Sequence, residues 1–316
     1  MTLRSSGDLL ADRRYAWAEA ALAEDDFAAA ADLAEQVLER APGYGPALIV
    51  LGRARARLAG DDPARREAAR DAFARALASD PDDALGAGLH LAELGEASGE
   101  ALSPAYVRAL FDGYAPRFER HLVEGLGYRG PEMIRDVLRD LAARRGRPPR
   151  FGRALDLGCG TGLVGAAFAG LVETLAGVDL SPAMLAQARA GGAYDRLTVG
   201  DLVGFVDTEP AGAADLIVAA DVFIYLRDLA PAFAAAARAL APGGLFAVTL
   251  QSHPGTGTVL GSDGRYAHGE DVLNAARDAA GLAMAAMTEA AIRRQNGAGV
   301  PGWIVVLERP DGLVGT

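Results

Sequence analysis

The sequence predicts an α/β domain with a mostly parallel sheet over its second half and an all-α domain over its first. From Phe151 onward, short apolar runs alternate with helix-length patterns, the order that builds a parallel sheet with crossover helices. The first hundred residues are rich in alanine, the strongest helix former. The glycines gather in the second half, where tight turns need them. At 316 residues and 51% apolar, the chain can bury two separate cores.

Residues 11–97 repeat themselves. Asp26-Phe27, Ala30 and Pro42 fit the second helix of one helical hairpin, and Ala18 falls where its first helix needs a small residue. The next hairpin has Gly52 at the small position, then Ala69, Phe73, Ala76 and Pro81. Small residues let paired helices approach closely, and proline ends each unit. A partial helix follows at Ala84–Leu94. The pattern resembles tetratricopeptide repeats, although the 39 residues from Pro42 to Pro81 exceed their usual period. The surplus lies in the turn Ala59–Arg65. An unrelated alanine-rich bundle is the competing reading. With fewer than three full repeats, the array is expected to lean on a neighbouring domain or a partner subunit.

The expected divisions are a helical domain at 1–100, a helical connector at 101–150 and the α/β domain at 151–316. In the connector, Tyr106–Gly125 and Pro131–Arg144 have helical patterns, and Pro148-Pro149 and Gly152 close it. Strand and helix patterns then alternate through Ala154–Leu157, Val164–Leu171, Leu175–Val178, Pro182–Ala190, Leu197–Val199, Leu216–Ala220, Leu229–Leu240 and Leu245–Gln251. The tail differs. Leu282–Thr288 and Trp303–Leu307 read as strands joined by the polar stretch Ala291–Pro301 with no helix between, an antiparallel pair at the sheet edge.

The central motif is Ala154-Leu-Asp-Leu-Gly-Cys-Gly-Thr-Gly-Leu163. A strand ends in Asp156, and Gly158, Gly160 and Gly162 lead into a helix. The glycines let the backbone bend sharply and approach a ligand at the carboxyl ends of parallel strands. Gly160, Gly162 and Gly165 also spell the dinucleotide fingerprint, with Asp179 about 20 residues on. Three features oppose that rival. Asp156 would repel a pyrophosphate, Asp201-Leu202 follows the third strand where an adenine amino group can be bonded, and the antiparallel tail is unusual for a nicotinamide domain.

At this point a family resemblance enters. Residues 151–308 resemble class I S-adenosylmethionine methyltransferases, most closely bacterial ones with N-terminal tetratricopeptide repeats. The resemblance rests on the glycine motif, Leu110–Phe118, Gly127-Tyr128-Arg129, Ala220–Tyr225 and Gly264–His268. It implies a Rossmann-like seven-stranded sheet with an antiparallel last strand, and S-adenosylmethionine as cofactor. It implies that Asp156, Gly158 and the backbone of Ala219 meet the methionyl amine, while Gly160 and Gly162 line the ligand. Asp179, with Leu180 beside it, would bind the ribose hydroxyls. Met184 would lie along the adenine, and Asp201 and Leu202 would hold its edge. Tyr114 and Tyr128 would form a lid, with Arg129 near the methionyl carboxylate. Ser181-Pro182 reads as a helix cap followed by a first-position proline.

Composition narrows the chemistry. The chain contains no lysine, which removes Schiff-base, Walker-type and tyrosine–lysine mechanisms. The single cysteine, Cys159, lies in the glycine turn, so a cytosine-C5 mechanism lacks its nucleophile. It also cannot form an internal disulfide, which agrees with a reducing compartment. Ala219-Ala-Asp-Val-Phe223 stands where enzymes acting on exocyclic base amines or glutamine carry an Asn/Asp-Pro-Pro-aromatic segment. The net charge of −11 disfavours nucleic acid, and the arginines of Arg135–Arg153 read as a solvated helix end. No apolar run is long enough for a membrane span, and the charged N-terminus does not read as a signal peptide, so a cytoplasmic location is expected. No metal site is expected.

The candidate acceptor-side residues are Asp221, Tyr225, Gln251, His253, Tyr266 and His268. Asp221 and Tyr225 follow the fourth strand. Tyr225 suits stabilisation of a cationic sulfur, and His268 suits a general base near neutral pH. Gln251 stands where similar sequences carry an acid. The expected reaction is methyl transfer to oxygen or nitrogen of a small metabolite. The alternative is a protein-directed methyltransferase or assembly factor whose repeats grip a partner. A groove lined by side chains such as Tyr15, Trp17 and Arg53 would favour a peptide; one filled by Tyr106–Gly125 or packed on the catalytic domain would favour a structural role for the repeats. A homodimer through the helical domain is also expected.

Overall fold

The computed structural model describes residues 5–95, 101–118, 127–295 and 297–311. The chain divides into two compact units, 1–110 and 111–316.

In the first unit, α1 (Leu9–Ala23), α2 (Phe27–Arg40), α3 (Gly45–Ala59), α4 (Pro63–Ser79) and the short α5 (Ala87–Glu93) pack in sequence. Aspartates start three of them: Asp8, Asp26 and Asp62 each accept from free backbone amides of the first turn. The small positions behave as their pattern predicts. Ala18 is fully buried, and a Cβ on Gly52 would lie 2.4 Å from the Phe73 ring. Asp83 is buried and caps α5 by accepting from Ala87 N (2.6 Å) and Gly88 N (2.9 Å). These are helical hairpins; their kinship to tetratricopeptide repeats rests on the sequence pattern alone.

The unit boundary falls inside α6 (Pro104–Tyr114), which a 3-10 turn (Ala115–Arg117) continues. Of the stretch read as one helix to Gly125, residues 119–126 lie outside those described. The second unit contains α7 (Gly130–Arg144), β1 (Phe151–Leu157), α8 (Leu163–Ala167), β2 (Val172–Asp179), α9 (Pro182–Gly191), β3 (Arg196–Val199), α10 (Leu202–Asp207) and β4 (Ala214–Ala219). It continues with α11 (Ala230–Ala239), β5 (Leu240–Gln251), β6 (Thr258–Leu260), β7 (Tyr266–His268), α12 (Glu270–Ala279), β8 (Ala283–Gln295) and β9 (Ala298–Glu308).

The main sheet has seven strands in the order β3-β2-β1-β4-β5-β9-β8. The first five run parallel, and β9 pairs antiparallel with both β5 and β8. Both faces are covered. Leu155, Ile217, Phe246 and Val305 pack on one side with Phe223 and Phe233. Ala154, Leu216, Ala247 and Ile304 pack on the other with Ile134, Leu138 and Phe168. Burial of alternate residues on opposite faces explains why these strands read as unbroken apolar runs.

Three details differ from the sequence reading. The polar connection Ala291–Pro301 is mostly strand: β8 reaches Gln295 and β9 starts at Ala298, so the antiparallel ladder satisfies its backbone. The loop Ser252–Ala267 holds a hairpin, β6–β7, tied down by Gly257 N on the Asp271 carboxylate (3.0 Å) and Thr258 Oγ1 on Arg227 O (3.2 Å). The helix α12 was not foreseen. Among the described residues, no helix is long and apolar enough to cross a membrane.

Candidate active site

The carboxyl ends of four parallel strands line up side by side. In sheet order they carry Asp179 (β2), Asp156 (β1), Asp221 (just after β4) and Gln251 (β5). A crevice outside these ends is where open α/β sheets bind ligands.

The turn after β1 needs its glycines for two reasons. Gly158 has φ +70°, and a Cβ there would lie 2.5 Å from Val222. Gly160 has φ +52°, and a Cβ there would meet nothing within 4 Å, an open cradle for a ligand. Gly162 precedes α8 in the left-handed conformation. Asp179 organises this turn: one carboxylate oxygen accepts from Gly160 N (2.9 Å), the other from Ser181 N (2.8 Å). Burial raises its pKa, and those two amides oppose the rise. Asp156 is fully buried. Its Oδ2 accepts from the Tyr194 hydroxyl (2.6 Å), while Oδ1 has no partner. Burial pushes its pKa up to about 7 against that hydrogen bond. Burial also raises the Cys159 thiol, which leaves it un-ionised and inert.

The remaining cofactor candidates are placed as follows. Leu180 is half-buried directly after Asp179. Ser181 caps α9 by accepting from Met184 N, and Ser181 itself donates to Asp112 (2.6 Å). Met184 is 1% exposed on α9. Asp201 caps α10 by accepting from Gly204 N (2.8 Å), and Leu202 packs against the sheet core. Ala219 ends β4, fully buried. Tyr128 is buried with Ile292 and against Phe118 and Leu163. Burial drives its pKa well up, reinforced by the nearby charges of Asp221 and Asp156. Tyr114 stacks edge-on with Phe118 at 5.5 Å, and Arg129 is exposed at the start of α7. Phe111 meets Tyr225 edge-on at 5.4 Å, and Gln187 donates to Ala115 O (2.6 Å). The segment 111–118 thus rests on α9 and on the turn after β4.

The candidates for the acceptor side centre on Asp221, held at φ +61°. Its amide donates to Thr249 Oγ1 (2.7 Å), and its Oδ1 accepts from Arg293 (3.0 Å). Arg293 is 2% exposed and also donates to Gln251 (2.6 Å) and Asp263 (3.4 Å). Arg265 pairs with Asp263 (3.7 Å) and is hydrogen-bonded to the Tyr225 hydroxyl. Burial raises the pKa of Asp221, and both arginines oppose the rise. Burial likewise raises that of Tyr225.

His268 is fully buried, and its Nε2 meets the Leu226 carbonyl (3.0 Å) while Nδ1 has no partner. Burial lowers its pKa. Closed off from solvent, the ring ties β7 to the segment after β4. His253 braces its own loop between Gly255 N and Gly257 O. Tyr266 is buried in β7. Among the described residues, no group of three or more His, Cys, Asp or Glu is placed to hold a metal.

Four residues here escaped the sequence reading: Asp112, Tyr194, Arg265 and Arg293. Asp112, Arg265 and Tyr194 lie in or beside segments already singled out, so spacing offered a hint. Arg293 gave none, because an arginine pair in a polar stretch reads as solvated surface.

Residues 155–248 match the family described as "Methyltransferase domain". Methyltransferase-like protein 27 of Homo sapiens is 39% identical over 110 residues, covering 34% of this chain and 43% of that protein. Ubiquinone biosynthesis O-methyltransferase of Xanthomonas oryzae pv. oryzae is 33% identical over 106 residues, covering 32% and 44%. The chain thus spans less than half the length of these relatives. The crystal structure of the cyclase SpnF shares the fold at a TM-score of 0.51 and 18% identity, over 65% of this chain and 96% of that one. Fold, glycine turn and family match agree: the chain carries an S-adenosylmethionine-dependent methyltransferase domain of class I fold.

Proposed function

We propose that the chain is a methyltransferase that transfers the methyl group of S-adenosylmethionine to an oxygen or nitrogen of a small molecule. The observation that carries this reading is Asp156, whose buried Oδ1 lacks a partner at the end of the strand that leads into the glycine turn. A buried carboxylate oxygen without a donor calls for a cation, and the cofactor's methionyl ammonium is one. Asp179 keeps lone pairs on both oxygens for the ribose hydroxyls, since each accepts only one amide.

When bound, the cofactor supplies a methyl group already activated on a sulfonium. This chain's residues then have to place the acceptor and exclude water, and such positioning is worth about 7–11 kcal/mol. Asp221 and Tyr225 are proposed to line the acceptor side, with Asp221 accepting the proton the acceptor releases. Tyr114 and Tyr128 are proposed as lid residues. Two observations favour a small molecule. Asp221 and Asp263 face Arg293 and Arg265, so the polar cluster at β4 and β5 is charge-balanced without a partner. In the helical unit, Tyr15 and Arg53 line a concavity whose wall includes Tyr106, Ala109 and Leu110 of α6, while Trp17 points to solvent. The repeats there serve the fold's own helix. The relative named for ubiquinone biosynthesis supports oxygen as the accepting atom.

The test is a transfer assay with methyl-tritiated cofactor, offered separately to the metabolite pool and the macromolecules of one cell extract. Label in the metabolite pool is the expected result. Label in protein alone would establish the protein-directed alternative.

His268 is proposed as a loop anchor. Its folded-state pKa is depressed below 6.5, so the unfolded chain binds a proton more readily. Its contribution is present above that value and is lost as pH falls through it. His268→Gln is expected to cost about 1–3 kcal/mol at neutral pH. It should also flatten the acid side of the stability profile and leave affinity for S-adenosylhomocysteine unchanged. Urea unfolding across pH checks the first two; an unaltered stability but slow turnover would restore His268 as a base.

A further inference from the structure

We infer that Tyr194 is a positioning residue for the cofactor, its hydroxyl holding Asp156 so that the free carboxylate oxygen receives the cofactor's methionyl ammonium. The inference rests on the cofactor reading above.

Three glycines make room for Tyr194. A Cβ on Gly165 would lie 2.7 Å from the ring, one on Gly177 2.9 Å, and one on Gly162 3.2 Å. These positions come from the cofactor turn, α8 and β2, so the ring is packed between turn, helix and strand, over the glycine that is the register partner of Asp156. The hydroxyl is fixed from both sides. It accepts from Gly165 N (3.1 Å) and donates to Asp156 Oδ2 (2.6 Å). The amide takes one lone pair and so directs the phenolic proton at the carboxylate. With one oxygen claimed, Oδ1 alone is left without a donor. The last glycine of the apparent dinucleotide fingerprint therefore has a different task here: its missing side chain admits a ring and its amide orients a phenol.

The groups facing Asp156 are few. Tyr194 comes from the segment before β3, Asp179 from β2, Cys159 from the turn, and Tyr128 from the segment before α7. None is a cation, so among the described residues the Tyr194 hydrogen bond is what favours the ionised carboxylate. That bond lowers a pKa that burial has raised to about 7. Affinity for an ammonium-bearing ligand should accordingly rise with pH through about 7 and level off beyond it. Removing the hydroxyl should move that rise to higher pH.

The test is calorimetric binding of S-adenosylhomocysteine to the full chain between pH 5.5 and 8.5, roughly the span over which a carboxyl with such a raised pKa ionises. For Tyr194→Phe, which keeps the ring, the expected result is about tenfold weaker binding at neutral pH, with the midpoint of the profile shifted upward. A ring that serves only as packing would leave both unchanged, and that result overturns the inference. Asp156→Asn provides the second arm: the pH dependence should vanish, and adding Tyr194→Phe to it should change affinity no further. A further loss in the double variant would also overturn the inference. Wild-type protein that binds no S-adenosylhomocysteine at any pH would instead overturn the cofactor reading itself.

Discussion

Arg293→Met is expected to lower stability by about 3–5 kcal/mol, the cost of leaving buried carboxylates without their counter-charge. The side chain is 2% exposed and faces Asp221 at 13% and Asp263 at 10%. Methionine fills similar space, so the loss reports charge and hydrogen bonding rather than a cavity. Three acceptors lose a donor at once, Asp221, Gln251 and Asp263, of which Asp263 keeps its pairing with Arg265. Asp221 is also a non-glycine residue at φ +61°, a conformation that costs about 1–2 kcal/mol and is held by Thr249 and Arg293 together. Loosening it should displace the acceptor side and reduce turnover more than cofactor affinity. Urea unfolding measures the stability term. The double variant Arg293→Met with Asp221→Asn should lose less than the sum of the two single losses, because the unpaired charge is gone. A single-variant loss below about 1 kcal/mol, the range of an exposed pair, would show that water reaches the cluster.

Asp179→Ala is expected to weaken S-adenosylhomocysteine binding at least ~100-fold while the protein still unfolds cooperatively. The carboxylate has two duties. It accepts from Gly160 N and Ser181 N, which sets the glycine turn and the start of α9. It is also the proposed acceptor for both ribose hydroxyls. Charge-assisted bonds contribute about 1.5–3 kcal/mol each, so losing two exceeds a hundredfold in affinity. Asp179→Asn keeps one acceptor oxygen and should fall between. Calorimetry on both variants checks this, and unchanged affinity in the alanine variant would remove the ribose assignment.

Much of this architecture was legible in the residues. Alternation from Phe151 onward marked the parallel strands, since a strand buried on both faces is apolar throughout. Gly158, Gly160 and Gly162 announced a turn with positive φ, and the structure has all three there. Ser181-Pro182 announced the start of α9. The small positions Ala18 and Gly52 marked close helix pairs. Elsewhere the local pattern was silent. The strand β8 runs through Arg293-Arg294-Gln295, where polarity suggested a loop.

Local chemistry by itself determined the helical hairpins, the parallel sheet and the glycine turn, because backbone conformation and periodicity are properties of neighbouring residues. Only the tertiary structure decided which distant groups meet: Tyr194 with Asp156 across 38 positions, and Arg293 with Asp221 across 72. A hydrogen bond between remote residues leaves no spacing to read, and a buried arginine looks like an exposed one until its partners are seen.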